Sequence, residues 1–379
     1  MALQFSRDTK VYLDFSGSVW EIPVLDGFSF SQATNASEIT LNEMESSDGT
    51  SRRARQLFND SLAPAEWSFA TYMRPTAGKY PVEDVLWAAM MTGSGSAEWT
   101  GSAYSSSAIT GTSASGVFAV TPARGNRSNL ETFDLYFVMG ANETEPGAAS
   151  ASFTSSAEIT IYKIQSCVVN EASIDFDVDG ISTINWSGFG KLITDEASFN
   201  TGDIVNRDIT STANFIRNRL TSLSVSSRMG SKTYGNQFSE SAYKITLTGG
   251  NITITNNITY LTPEVLGIVN QPLEHVTGTR SVTGNFTCYL GTGTNESTQL
   301  FEDLATATTV ITNEFELDFG IGGTATTPRV DVNMPRCHLE IPVHQIEDVI
   351  ALETTFHALP STIDDADELT ITYQGGGAA

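Results

Sequence analysis

The chain has 379 residues, and its 44 acidic against 20 basic side chains leave a formal charge of −24. That balance excludes a surface that grips nucleic acid or anionic membrane, which needs clustered Lys and Arg, but not one that lets DNA pass unheld. The length suffices for two domains with full cores, and a high load of Ser, Thr, Asn and Gly with few long helical patterns points to a mainly β chain.

In chain order, VYLDF (11–15) and VWEIPVLDGFSF (19–30) read as strands, with Asp26-Gly27 as a turn. ITLNE then runs into a polar stretch, and residues 44–64 read as one long loop of the kind that carries function. WSFATYMRP resumes as a strand with Trp67, Phe69, Thr71 and Met73 on one face. VEDVLWAAMM is the clearest helix: Val82, Val85, Leu86, Ala89 and Met90 follow the i, i+3, i+4, i+7, i+8 spacing of an amphipathic helix, Pro81 sits at its start, and Glu83 and Asp84 occupy its first turn. Residues 93–129 form a weakly patterned insertion rich in Gly, Ser, Thr and Ala. FDLYF and ITIYKI are strands that lead into residues 167–192.

In that stretch Ile174, Phe176 and Val178 alternate with Asp175, Asp177 and Asp179, the period of a strand with one buried face. Asp179-Gly180 supplies a tight turn, and Ile181, Thr183, Asn185 and Trp186 continue into a second strand. The expectation is a hairpin with one apolar face and one row of carboxylates.

The second half repeats the first. Trp20-Glu21-Ile22 matches Tyr243-Lys244-Ile245, Phe69 matches Phe286, Leu86 matches Phe301 and FDLYF (133–137) matches FELDF (315–319). Cys167 matches Cys337 and Trp186 matches Phe356, both 170 positions on. Element order is kept, and most of the change in spacing falls in 93–129. These matches predict two tandem β-sandwich or barrel-like domains, each with one flanking α-helix. Their expected bounds are 1–192 (containing the 44–64 loop and the 93–129 insertion) and 218–379, joined by a linker at 193–217.

Chemistry-bearing patterns are few. DFDVDG matches half of a calcium loop, but the twelfth position is Trp186, and a hairpin turn is the better reading. His338 and His344 near Cys337 lack further ligands at metal spacing, and the three cysteines read as buried reduced thiols. FGIGGT (Gly320, Gly322, Gly323) is followed by no helix and no Lys-Ser/Thr, which argues against a phosphate cradle. There is no nucleophile with an acid–base partner, so no enzyme, no metal and no cofactor is expected. Arg52, Arg53 and Arg55 in the long loop are either a solvated patch or an arm that reaches an acidic neighbour. Trp99 and Tyr104 in the insertion are either ordinary packing or an exposed ligand-binding spot. No apolar run approaches membrane-spanning length, so no membrane partner is expected.

The run SEITLNEMESSDGTSRRARQLFNDSLAPAEWSFATYMRP, the VEDVLWAAMM helix and EASIDFDVDGISTINWSGFGKL together resemble the major tail tube proteins of long-tailed bacteriophages. The match covers about 190 residues of the first half, and the second half joins it through the repeat. The resemblance implies six-fold rings whose inner strands form a continuous β-barrel, with a long loop bridging stacked rings. It places Asp48, Arg52, Arg53, Arg55 and Phe58 at ring or subunit contacts. It turns the acidic residues Asp175, Asp177 and, in the second copy, Glu347 toward the lumen. Two copies per chain imply a homotrimer with pseudo-hexameric symmetry. The implied partners are further copies of the chain, other tail proteins at the tube ends, and a tape measure protein and transiting DNA in the lumen. The implied location is the virion tail, after assembly in the host cytoplasm. Alternatives are another virion β-protein, such as a tail terminator or decoration protein, or a receptor- or carbohydrate-binding module.

Overall fold

The computed structural model describes residues 4–38, 56–76, 80–95, 98–112, 117–123, 129–141, 144–227, 242–306, 315–322, 328–346 and 348–375. The chain is mainly β. The first half comprises β1 (Thr9–Phe15), β2 (Ser18–Ile22), β3 (Ser29–Glu38), β4 (Leu57–Tyr72), α1 (Asp84–Met91), β5 (Ile109–Thr112), β6 (Val117–Val120), β7 (Phe133–Met139), β8 (Ser150–Thr154), β9 (Thr160–Phe176), β10 (Thr183–Gly190), β11 (Ile193–Asp195) and β12 (Ser198–Asp203). The second half comprises β13 (Ser222–Ser227), β14 (Ala242–Lys244), β15 (Leu247–Thr255), β16 (Thr259–Leu261), β17 (Glu274–Val276), β18 (Ser281–Tyr289), α2 (Ser297–Thr306), β19 (Phe315–Ile321), β20 (Arg329–Leu339), β21 (Val343–Gln345), β22 (Ala351–Ala358) and β23 (Thr370–Gln374).

Both halves use one pairing scheme. An outer sheet β2-β1-β7-β9-β11 in the first half corresponds to β14-β13-β19-β20-β23 in the second. The correspondence holds to the residue. Phe133 faces Cys167, a bulge follows, and Leu135 faces Ile164; Phe315 faces Cys337, a bulge follows, and Leu317 faces Met334. Both thiols donate to the carbonyl three residues back, Ile164 and Met334. Both are fully buried, and burial holds each thiol protonated, raising Cys337 to about 12.

The inner layer is one antiparallel sheet that runs through both halves: β3-β4-β10-β9-β15-β18-β22-β21. The halves join where β9 pairs β15, with Ile174 opposite Ile252 and Asp175 opposite Asn251. β9 is long enough to serve both layers, its start in the outer sheet and its end in the inner one. The core lies between the layers and contains Trp20, Trp67, Trp87, Trp186, Phe286, Phe315, Phe319 and Phe356.

One aromatic match from the sequence shifts by two residues. Trp186 lies opposite Phe69, and Phe286 lies opposite Thr354, so Thr354 is the counterpart of Trp186 and Phe356 that of Gly188. The bulk has changed strands. In the first half Trp67 packs on Gly188, whereas in the second Phe356 packs on Gly284, the counterpart of Trp67. A Cβ on either glycine would lie 2.5–2.6 Å from the facing ring.

Three further expectations change. The 44–64 stretch is strand from Leu57 onward, because β4 extends as an arm paired with β3. The 193–217 stretch is no loose linker: it holds β11 and β12, and Arg207 and Asn214 within it are buried. α1 is buried on every side, not amphipathic, because the insertion closes over it. The hairpin β5–β6 from that insertion pairs with β23, and Trp87 on α1 donates to the Tyr373 hydroxyl at 2.7 Å.

Just before α1, Glu83 is wholly buried and accepts the Arg74 backbone N–H at 3.0 Å. Burial pushes its carboxyl from 4.5 up to about 7, a shift the Arg74 N–H only partly offsets. The fold accepts the protonated form, so this group's contribution is full below about pH 4.5 and is lost as pH rises through 7. The expected loss between pH 5 and pH 8 is roughly 2–3 kcal/mol. Urea unfolding at the two pH values should show it in the wild type and lack it in Glu83→Gln.

Candidate functional site

The inner sheet follows from alternation. Ala65, Trp67, Phe69 and Thr71 on β4, Ile184 and Trp186 on β10, Ala172, Ile174 and Phe176 on β9, and Ile252 and Ile254 on β15 point into the core. The intervening residues line the opposite, solvated face: Ser68, Asn185, Ser187, Glu171, Ser173, Asp175, Asn251, Thr253, Asn285, Glu353, Thr355 and His357 among them. Hydroxyls and amides dominate it, and the carboxylates are spaced out. No Lys or Arg occurs in β3, β4, β10, β15, β18, β21 or β22, nor in β9 after Lys163. Lys163 itself sits in the outer-sheet half of β9, 2.8 Å from Asp134.

Side chains on this face are tied across the strands. Ser29 and Ser68 hydroxyls are 2.8 Å apart, and Asn285 donates to Glu353 at 3.0 Å. Asn185 donates to Asp175 at 3.1 Å, and Gln345 donates to Glu353 at 2.7 Å. Gln345 is the counterpart of Asp175 and Glu353 that of Asn185, so the same cross-strand pair recurs with acid and amide exchanged. The side-chain amides of Asn185, Asn285 and Gln345 are thus engaged within the sheet, and the face carries carboxylate charge.

The residues marked in the sequence divide as follows. Asp175 lies on the solvated face within β9. Asp177 lies beyond the strand end and accepts from Asn218 at 3.1 Å. β9 ends at Phe176 and β10 begins at Thr183, so the turn is longer than two residues, although Gly180 takes a φ of +110° within it. Val178 is therefore 50% exposed and takes no part in the core. Phe58 is exposed on the β4 arm beside Leu57. Asp48, Arg52, Arg53, Arg55 and Glu347 lie outside the described residues. Glu66, Glu171 and Glu353 were missed; their strand parity opposite buried residues was the available signal.

Trp99 and Tyr104 are not an exposed ligand spot. They close a buried cage around Arg207, whose guanidinium lies 4.7 Å from the Trp99 ring and 5.2 Å from Tyr80. Arg207 grips Asp84 with two bonds, Nε to Oδ1 at 3.0 Å and Nη2 to Oδ2 at 2.7 Å, and Tyr104 donates to Asp84 at 2.8 Å. Burial alone would lower the Arg207 pKa, but Asp84 reverses that and keeps the cation charged. His338 lies across from His357, and His344 sets edge-on to Phe301 at 4.8 Å. Among the described residues no three His, Cys, Asp or Glu side chains gather as a metal site, and no helix is long and apolar enough to cross a membrane.

The two ends of the inner sheet carry exposed apolar side chains beside exposed carboxylates. At one, the β3–β4 arm carries exposed Leu57 and Phe58, and residues 262–273 carry exposed Val265, Leu266, Ile268 and Val269. Arm and loop are joined, with Leu62 N–H donating to Asn270 at 2.8 Å and Asn270 N–H to Asp60 at 3.0 Å. At the opposite end the β9–β10 and β21–β22 turns expose Val178, Ile181, Ile346 and Val349, with Asp177, Asp179 and Asp348 exposed beside them.

No protein-family model matches the chain. It is similar to the tail tube protein pb6 of Escherichia phage T5, at 30% identity over an alignment of 386 positions that covers 97% of this chain and 75% of that protein. With that identity across nearly its whole length, on a mainly β fold, the chain belongs to the tail tube proteins of long-tailed bacteriophages.

Proposed function

We propose that three chains close into a ring through their inner sheets, and that the rings stack into the hollow tube through which the genome is delivered. The observation that carries this reading is the inner sheet itself. Among the described residues it runs unbroken through two equivalent halves, stays open at β3 and β21, and has a solvated face without Lys or Arg. Eight such strands from each of three chains make a closed barrel of twenty-four, which removes both free edges.

In this reading the solvated face lines the lumen. Its carboxylates repel phosphate, and the amides of Asn185, Asn285 and Gln345 are already engaged by neighbouring side chains, so DNA meets no string of sticky sites. A tape measure protein would fill the same lumen before DNA, and other tail proteins would cap the tube ends. The apolar arm end of one ring seats on the apolar turn end of the next, which contributes association between chains whose net charge would otherwise keep them apart. Asp48, Arg52, Arg53, Arg55 and Phe58 belong to that contact in this reading. Its role is structural and not enzymatic, in a virion tail assembled in the host cytoplasm.

Purified protein is expected to polymerise into hollow tubes visible by negative-stain microscopy. Protein that stays monomeric at high concentration and in crowding agents would overturn the proposal.

A further inference from the structure

We infer the register of the seam between chains from the seam inside the chain, an inference that rests on the ring assembly proposed above. The β9–β15 join links the last inner strand of one half to the first inner strand of the next. The free edges β21 and β3 are the counterparts of those two strands, so a ring of equivalent halves must repeat the same join between neighbouring chains.

The counterparts are fixed by the observed pairings. Phe30 lies opposite Trp67 and Ile252 opposite Gly284, so Phe30 corresponds to Ile252. Ile174 lies opposite Ile184 and His344 opposite Leu352, so Ile174 corresponds to His344. Within the chain Gly250 faces Phe176, Asn251 faces Asp175 and Ile252 faces Ile174. Between chains the same register sets Phe28 opposite Ile346, Ser29 opposite Gln345 and Phe30 opposite His344.

Burial and charge favour this occupant. Phe176 is 5% exposed at the internal seam, whereas its counterpart Ile346 is 80% exposed at the free edge. A second copy on this edge would cover it. In a chain of charge −24, neither residues 28–36 nor residues 341–346 contain an ionised side chain of either sign apart from the titratable His344. Two copies therefore meet there without repulsion. The edge is also guarded: β21 has three residues and follows Pro342, where β9 has Ala172. A short strand beside a proline resists indiscriminate pairing, so the seam forms only where the rest of the ring supports it.

Disulfide trapping tests the register. Directly opposed residues have Cα atoms roughly 4.5–5.5 Å apart, within the range a disulfide spans, whereas partners two residues off register lie about 7–8 Å apart. The native cysteines are buried and do not compete. In assembled protein, Ser29→Cys with Gln345→Cys should convert most chains to covalent trimers on non-reducing gels. Ser29→Cys with Val343→Cys should trap several-fold less. Rings or tubes that form while the first pair fails, or the second traps better, would overturn the register and leave the ring standing. A complete lack of rings in the wild type would overturn both. Hydrogen exchange on the wild type provides a second readout without mutation. The alternate amides of 29–31 and 343–346 that point to the free edge should gain at least tenfold protection on assembly, and unchanged exchange of all of them in assembled rings overturns the seam.

Discussion

Arg207→Ala is expected to destabilise the monomer by about 3–5 kcal/mol, the usual cost of breaking a buried ion pair by removing one partner. Asp84 is fully buried at the start of α1, and Arg207 supplies two of its bonds, with Tyr104 the third. Without the guanidinium the carboxylate is left in an aromatic cage of Trp20, Tyr80, Trp99 and Tyr104, too far from water to be rehydrated cheaply. The helix N-terminus supports Asp84 only in part. Adding Asp84→Ala to the same variant should recover part of the loss, because no lone charge then remains. Urea unfolding followed by tryptophan fluorescence measures both, since Trp20 and Trp99 line the cage. Single variants within 1 kcal/mol of wild type would show that the cage does not hold the 204–217 segment and the insertion onto the helix.

Gly284→Ala should cost at least about 3 kcal/mol, at the upper end of overpacking penalties. A Cβ there would lie 2.1 Å from the Asn251 carbonyl oxygen and 2.6 Å from the Phe356 ring. The ring can turn aside, but the carbonyl belongs to the β15–β18 ladder and cannot move without breaking it. Phe356→Leu should therefore fail to rescue Gly284→Ala, and chemical denaturation of the two single variants and the double variant decides the matter. Full rescue would mean that the ring alone sets the requirement for glycine. The same logic holds at Gly188, whose Cβ would lie 2.0 Å from the Val168 carbonyl oxygen and 2.5 Å from Trp67.

The fold was legible where period two survives. Ile174 and Phe176 against Asp175 gave the correct faces of β9, and Trp67, Phe69 and Thr71 those of β4. Legibility failed where spacing is not the cause of the structure. Val178 keeps the alternation but lies beyond the last pairing of β9, and parity cannot say where pairing stops. Trp186 and Phe356 look like counterparts because both are aromatic. The space between sheets is filled equally well by Trp67 over Gly188 or Phe356 over Gly284, so the large residue was free to change strands between repeats. Arg207 and Asp84 are 123 positions apart, with no local pattern to pair them. On the solvated face, Asp175 was visible as part of an acidic run. Glu353 was hidden because acid and amide have exchanged places across the strand pair.

The separate features converge on one architecture. A repeat that keeps the bulge beside Cys167 and Cys337 to the residue, an inner sheet shared by both halves, free edges without Lys, Arg, Asp or Glu over residues 28–36 and 341–346, and a face without Lys or Arg each fit the proposed ring around a polyanion's path. In the proposed ring the six equivalent halves come from three chains.

The direct test is a cryo-EM map of the assembled tube at a resolution that separates strands. The account predicts three chains per ring, twenty-four inner strands joined edge to edge, and Asp175, Glu171 and Glu353 facing the lumen. Six chains per ring, or those carboxylates on the outer wall, would contradict it.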